Sequence, residues 1–445
     1  MSPSPARLRA RIDDAPMSRS QWSAIAVCVL LNVVDGFDVL VMSFTAAAVS
    51  AEWRLSGTEL GLLLSAGLVG MALGSLFLAP VADRTGRRPL ILACLAVSSS
   101  GMLLSALAGS AVQLGLLRLV TGVGIGGVIA GSNVIAAEYA NRRWRGLAVS
   151  LNTAGYAVGG TVGGVIAVVL QNASGWRSVF AFGGVATALL VAAVVRRLPE
   201  SLDFLLTRRS PGALDRLNAL LAAMRQPPLR SMPEPDAPAG RAPGLRQLLS
   251  PARRRNTLLT WAGFFTSMSG FYFVASWTPK LLVEAGMSAT EGITGGSLLN
   301  LGGIFGTTLL GLLAARFALR RVLLGYVLAS VALLALFVPA MSVYGPALAL
   351  GALIGLFVTG AVAGLYALTP SIYPPEMRAT GVGWGIGVGR VGAILSPLVA
   401  GRLLDAGWGP GGLYLLAAAV LAAGGLAVGA FRLDAGSPVP VKTEA

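Results

Sequence analysis

Asp35 and Asp38 stand three residues apart inside an apolar run, in the stretch Asn32-Val33-Val34-Asp35-Gly36-Phe37-Asp38-Val39. The run extends over residues 22–48, long enough to cross a bilayer as a helix. Helical spacing i, i+3 places both carboxylates on one face. Acids at membrane depth are costly to hold, face polar interiors and mark ion or proton pathways. Two of them in a site of low dielectric suit reversible protonation. The competing reading is a buried structural ion pair with an arginine such as Arg118. The chain contains no histidine, which excludes a His-based relay or a His-containing metal site and leaves proton movement to Asp or Glu.

Other polar residues interrupt apolar runs at depth. Arg390, in Gly387-Val388-Gly389-Arg390-Val391-Gly392, lies about 11 residues into its run, or roughly 16 Å from the nearer end at about 1.5 Å per residue. A guanidinium there can clamp a carboxylate with two parallel hydrogen bonds; the structural alternative pairs it with Asp83 or another acid. Arg118 either modulates the acids, contacts substrate or only neutralises Asp35 and Asp38. Glu138 is expected to pair with Arg142 or Arg145 near the end of its span. Among the aromatics clustered around residues 264–277, most are packing or lipid-facing residues. Tyr272, together with Asn300, brings a hydrogen-bonding group to a buried depth, where an aromatic ligand can stack.

These residues must be positioned by membrane helices. Hydrophobic residues make up 55% and charged residues 12% of 445, with a mean hydropathy of +0.74; a soluble domain carries about twice that charge fraction. Twelve apolar runs are expected to span: 22–48, 58–81, 89–108, 112–137, 146–170, 176–195, 257–283, 290–314, 321–340, 344–369, 379–403 and 411–431. Arginines concentrate in alternate loops, at 84, 87 and 88, at 142, 143 and 145, through the long 6–7 segment, at 316, 320 and 321, and at 378. The positive-inside rule then places both termini in the cytoplasm. The net charge of +15 follows from that asymmetry. Because the basic residues form no single face, lipid headgroups rather than nucleic acid are the expected partner. The first twenty residues hold Asp13 and Asp14 and no apolar core, so the first span is expected to direct insertion. Cys28 and Cys94 both fall in spans, against a disulfide framework.

The spans divide six and six. Residues 1–21 read as a cytoplasmic tail, 22–195 as the first half, 196–256 as a linker rich in proline, 257–431 as the second half and 432–445 as a disordered tail. Short amphipathic helices are expected at 202–206 and 213–224. The decades 79–88 and 311–320 carry arginine at equivalent places after an apolar span, an offset of 232 residues. Internal repeats of this kind mark transporters whose substrate site lies near mid-membrane between the halves.

The chain resembles the major facilitator superfamily. Asp83, Arg84, Gly86, Arg87 and Arg88 match its Gly-x-x-x-Asp-Arg-x-Gly-Arg-Arg loop, with Ala79 replacing the leading glycine. The second copy keeps Gly311, Arg316 and Arg320 and has Ala315 in place of the acid. Arg118 with Gly122, Gly124 and Gly126 is similar to the fourth-helix pattern, and Leu198-Pro199-Glu200-Ser201 is also familiar from this superfamily. Within it, the chain looks most like the aromatic acid:proton symporters. Asp35-Gly36-Phe37-Asp38 matches their first-helix signature and Arg390 their helix-11 arginine; Ala137-Glu138-Tyr139 followed by Arg145-Gly146 also fits. The resemblance implies an all-α membrane protein of twelve helices in two pseudo-symmetric halves. It implies import of a benzoate- or hydroxybenzoate-like carboxylate with protons across a bacterial inner membrane, by a monomer without cofactor or metal. Asp35 and Asp38 would couple protons; Arg390, Arg118, Phe37, Tyr272 and Asn300 would meet substrate; Asp83, Arg84, Arg87, Glu138 and Arg145 would gate.

Nicotinate and other organic-ion carriers share parts of this pattern. A proton-antiporting drug exporter of the same fold would carry Gly-Pro in span 5, whereas Gly155-Tyr156-Ala157-Val158-Gly159-Gly160 has no proline. A membrane sensor that transports nothing is disfavoured by the lack of a sizeable soluble signalling domain. No nucleophile–base–acid set or metal spacing indicates an enzyme.

Overall fold

Apolar runs this long satisfy their backbone polar groups as helices, since lipid offers no hydrogen-bond partners. The computed structural model describes residues 5–208, 212–233 and 244–431 and, among them, contains helices and no strand. The acidic-proline stretch after Pro233 and the tail after Phe431 lie outside the described residues. The helices are α1 (Pro5–Asp14), α2 (Arg19–Trp53), α3 (Gly57–Thr85), α4 (Arg87–Ser105), α5 (Ala111–Tyr139) and α6 (Arg145–Ser174). They continue as α7 (Trp176–Arg197), α8 (Leu202–Thr207), α9 (Ala213–Ala223), α10 (Leu245–Leu248), α11 (Arg254–Glu284) and α12 (Ala289–Ala314). The last four are α13 (Leu319–Ala340), α14 (Tyr344–Leu368), α15 (Arg378–Asp405) and α16 (Pro410–Gly429). Twelve of them, α2–α7 and α11–α16, are long and apolar enough to span a membrane. The chain is a multi-pass membrane protein.

Local sequence signals set the helix starts. Ser56 and Glu59 form a reciprocal capping box at α3, and Ser288 and Glu291 form the same box at α12, in each case satisfying two orphan N–H groups. The two boxes are 232 residues apart, which extends the repeat from a loop motif to a helix start. Close packing repeats as well. A Cβ on Gly70 or Gly74 of α3 would overlap the carbonyls of Leu119 and Val123 on α5. A Cβ on Gly302 or Gly306 of α12 would overlap those of Ala352 and Leu356 on α14. Small residues let backbones touch where lipid provides no hydrophobic drive to associate.

The two halves meet through α3 with α15, α6 with α12 and α2 with α11. Ser43 donates to the carbonyls of Ala275 and Ser276, 2.8 Å each, so a residue meets its own repeat position across the interface. Asn172 of α6 and Thr290 of α12 approach to 3.4 Å. Such contacts concentrate between mid-bundle and the face opposite the chain termini. There Asp405 of α15 accepts from the N–H groups of Gly57 (2.6 Å) and Thr58 (2.8 Å), capping α3 from the other half.

The N-terminal residues are not simply a tail. Leu8 and Ile12 of α1 are buried in a cluster with Leu202, Leu217 and Leu221 of α8 and α9. Arg9 donates to the carbonyls of Glu138 (2.5 Å) and Ala137 (3.1 Å) at the end of α5, the end of the helix dipole that favours a cation. Asp13 pairs with Arg145. The N-terminal segment and the first part of the linker thus form one cap over the terminal face of the first half.

Candidate functional site

A cavity of about 300 Å³ lies between the halves, on the terminal side of the closed interface. From the first half it is walled by Asn32, Met71, Asn133, Thr153 and Tyr156, and from the second by Phe271, Tyr272, Tyr366 and Arg390. This matches the usual makeup of a small-molecule site, largely apolar with a few convergent polar groups. Arg390 Nη1 donates to the Met71 carbonyl at 3.0 Å and to Ser75 Oγ, so α3 holds it across the interface. Its Nε and Nη2 have no protein partner among the described residues. That edge presents the two parallel donors that a carboxylate accepts. Arg390 does not pair with Asp83. Edge-to-face contacts order the aromatic walls: Phe271 with Tyr272 at 5.1 Å and Tyr366 with Phe264 at 5.3 Å.

Three asparagines support the first-half wall. Asn32 Nδ2 donates to Asn152 Oδ1 at 2.9 Å, and Asn152 Nδ2 donates to Asn133 Oδ1 at 2.7 Å. Tyr156, Tyr366 and these asparagines were not singled out from sequence. Their only signal there was a lone polar side chain within an apolar span.

Asp35 and Asp38 are buried, with 4% and 1% exposure, and neither lines the cavity. Asp35 Oδ2 and Asp38 Oδ1 have no hydrogen-bond partner among the described residues. Arg118 does not form the ion pair considered above. Its Nη2 donates to the backbone carbonyl of Asp38 at 2.6 Å, and its Nη1 meets the Met102 sulfur at 3.0 Å. Asp38 Oδ2 accepts weakly from Thr187 at 3.4 Å. The pair is therefore buried carboxyl without a salt bridge, the costly arrangement that structural ion pairing would have relieved.

Phe37, Arg118 and Asn300 stand away from the cavity. Phe37 packs edge-to-face on Phe182 at 5.7 Å, because its ring points toward α6 and α7. Asn300 donates to the Gly296 carbonyl at 2.9 Å and sits against Gly160 at the closed interface. Only Arg390 and Tyr272 of the five residues expected at substrate reach the cavity wall.

The charged residues of the terminal face gather within the first half. Glu138 pairs with Arg87 at 3.3 Å and accepts from Ser201 and from the Leu202 N–H at 2.9 Å, not from Arg142 or Arg145. Glu200 accepts from the N–H groups of Arg87 (2.8 Å) and Arg88 (3.2 Å), capping α4. Gly86, at φ +102°, turns α3 into α4 against that carboxylate. Asp83, near the end of α3, is exposed and lies 3.8 Å from Arg87 at the start of α4. Arg84 is exposed too.

A model of the Major Facilitator Superfamily matches residues 28–342. The chain belongs to that superfamily. It is 35% identical over 405 residues to the gallate transporter of Pseudomonas putida, covering 89% of each chain. It is 33% identical over 406 residues to the 4-hydroxybenzoate transporter PcaK of Acinetobacter baylyi, covering 90% of this chain and 88% of that one. The fold is similar to that of the xylose transporter XylE from E. coli in a partially occluded inward open conformation, with a TM-score of 0.70, 17% identity and coverage of 92% and 97%. Membership of a transporter superfamily, together with relatives that are transporters, makes the chain a carrier rather than an enzyme.

Proposed function

We propose that the protein imports an aromatic carboxylate of the benzoate or hydroxybenzoate type together with protons, by alternating access. The observation that carries this reading is the free edge of Arg390 turned to a cavity walled by Tyr156, Phe271, Tyr272 and Tyr366. A carboxylate takes the guanidinium fork and an aromatic ring takes the tyrosine and phenylalanine faces. The named substrates of the two relatives, gallate and 4-hydroxybenzoate, have this chemistry. Both termini are cytoplasmic in this reading, in a bacterial inner membrane, and the cavity faces inward. The monomer carries a complete site between its own halves, and no nucleic acid takes part.

Asp35 and Asp38 are the coupling groups. Protonation from outside neutralises buried carboxylate charge that no salt bridge balances, with Arg118 acting on Asp38 from its backbone carbonyl. The halves then reclose on the far face with substrate at Arg390, and proton loss to the cytoplasm resets the cycle. The test is uptake of labelled 4-hydroxybenzoate by proteoliposomes with an imposed acid-outside gradient. The wild type accumulates the label. The Asp35→Asn and Asp38→Asn variants lose accumulation and retain exchange between equal pools. Expulsion of the label by the wild type would favour an exporter, and gradient-driven accumulation by the double Asn variant would move the coupling site elsewhere.

A further inference from the structure

Two tyrosines stand between the acid and the arginine. Gly36, the neighbour of Asp35, lies so close to α6 that a Cβ there would overlap the Tyr156 carbonyl. This fixes the start of the Tyr156 side chain against the turn that carries Asp35. The Tyr156 side chain then reaches the cavity wall, where its buried hydroxyl interacts with the Tyr272 hydroxyl across the interface in a geometry short of a well-formed hydrogen bond. It is within electrostatic reach of both Asp35 and Tyr272. Tyr272, on the other half, lines the same cavity and is within electrostatic reach of Arg390. The order Asp35, Tyr156, Tyr272, Arg390 crosses the interface between the halves at mid-bundle.

A buried hydroxyl without a well-formed hydrogen bond is costly, so one placed against a second hydroxyl and within electrostatic reach of a carboxyl points to a role in one of the working states. We propose that Tyr156 and Tyr272 form the hydrogen-bonding link through which protonation of Asp35 and binding of the substrate carboxylate at Arg390 favour one another. This rests on the proton-coupled reading above. Each tyrosine has one proton to donate. Ionised Asp35 accepts a hydrogen bond from the Tyr156 hydroxyl, which leaves Tyr156 only as an acceptor toward Tyr272. The Tyr272 proton is then drawn to Tyr156 and away from the substrate. Protonated Asp35 releases Tyr156 to donate to Tyr272, and Tyr272 donates in turn to the carboxylate held at Arg390. No covalent bond is made or broken; the hydroxyl protons only turn. Linkage requires the converse, so bound substrate favours the proton on Asp35.

The titratable and charged groups around Asp35 bear on this. They are Asp38 on α2, Cys94 on α4, Arg118 on α5, which acts on Asp38, and Tyr156 on α6. Only Tyr156 is shared with the cavity, so only it joins the acid to the substrate.

The experiment measures the dissociation constant of 4-hydroxybenzoate for the purified full chain in an acid and an alkaline buffer, both above the carboxylate range so that the probe stays ionised. It is paired with gradient-driven uptake in proteoliposomes. Coupled sites typically change affinity by about 5- to 150-fold, and the wild type is expected to bind tighter in the acid buffer by a factor in that range. Tyr156→Phe and Tyr272→Phe are expected to bring the ratio toward one and to abolish accumulation while exchange persists. Because the Tyr156 hydroxyl makes no well-formed protein hydrogen bond, its removal is expected to leave folding intact, which a melting curve checks. Wild-type ratios and accumulation in both variants would overturn the link. Loss of binding in both buffers would overturn it too, making the tyrosines simple substrate contacts. A wild type that fails to accumulate at all refutes the coupled reading itself, and the link with it.

Discussion

Arg390→Lys keeps the charge and removes the fork. In the structure one guanidinium nitrogen is spent on α3, at Met71 and Ser75, and the opposite edge is free for ligand. An ammonium on a shorter, single-point head must choose between these partners. If it stays with α3, the substrate carboxylate loses its charge-assisted hydrogen bonds; if it turns to the substrate, the α3 carbonyl loses its donor. A hydrogen bond to a charged group contributes about 1.5–3 kcal/mol, and the retained Coulomb attraction offsets part of the second bond. A net loss of one such bond corresponds to about 10- to 150-fold weaker binding, at roughly 1.4 kcal/mol per decade. Calorimetry on purified protein with 4-hydroxybenzoate measures this directly. Thermal stabilisation gives an independent reading: ligand at about 100 times the dissociation constant adds about 2.7 kcal/mol, and a 50-fold weaker complex at the same concentration adds only about 0.6 kcal/mol. An unchanged dissociation constant in a folded Arg390→Lys protein would mean that the guanidinium only ties α15 to α3, and the cavity would need another anion-binding group.

Three further outcomes are expected. Asp83→Asn should slow turnover in vesicles and leave the substrate dissociation constant unchanged, since Asp83 is exposed at the end of α3, far from the cavity; a large loss of affinity at normal turnover would contradict this. Asp405→Asn weakens the cap on α3, worth about 1 kcal/mol for a helix N-cap and hence about a fivefold gain of the far-face-open state. A cysteine at the buried Ser65, in a protein lacking Cys28 and Cys94, should then react correspondingly faster with an impermeant maleimide, and an unchanged labelling rate would exclude Asp405 as a latch. Gly159→Ala places a methyl group onto the Val33 carbonyl, and overpacking of this kind costs about 1–3 kcal/mol; a melting temperature equal to that of the wild type would show that α2 and α6 separate freely there.

Much of the architecture was legible because lipid is a simple solvent. Apolar length, alternating arginine and the 232-residue offset all follow from the constraints of a bilayer and a duplicated half, and each helix appears within a few residues of its expected span. The docked α1 was not legible. Its two apolar anchors, Leu8 and Ile12, look like any short amphipathic segment until the ends of α5 and the linker helices are known. Within the site, Arg390 and Tyr272 were visible as polar atoms at mid-depth. Asn300 was visible for the same reason and Phe37 only through the first-helix signature, yet both point to neighbouring helices, because rotation about a helix axis is not encoded in depth. Glu138 was expected to pair with Arg142 or Arg145, its nearest arginines along the chain. The fold instead brings Arg87 to it from the first turn of α4, a pairing that only the packing of α4 on α5 creates.

The contacts of α3 and α15 suggest how two states of this fold can lie close in energy. On the far face, a carboxylate of α15, Asp405, caps the first N–H groups of α3. On the terminal face, α3 ends in a carboxylate, Asp83, while α15 begins at Arg378 without any side-chain cap. The same two helices therefore hold one satisfied carboxylate-to-N-terminus pair and the components of a second, at opposite ends. Rocking the halves about the mid-bundle contacts at Ser43 would break the first pair while bringing the second within reach. A helix N-terminus favours an anion by about 0.3–1 kcal/mol at an exposed site, so the exchange is nearly balanced, as a carrier that must visit both states requires. The second acid of the repeat, lost to Ala315, would have stood on α12, which faces α6 across the interface. Among the described residues, the interface of α3 with α15 is thus where a charged latch can trade ends, and in the proposed cycle substrate and protons need supply only the small remaining difference.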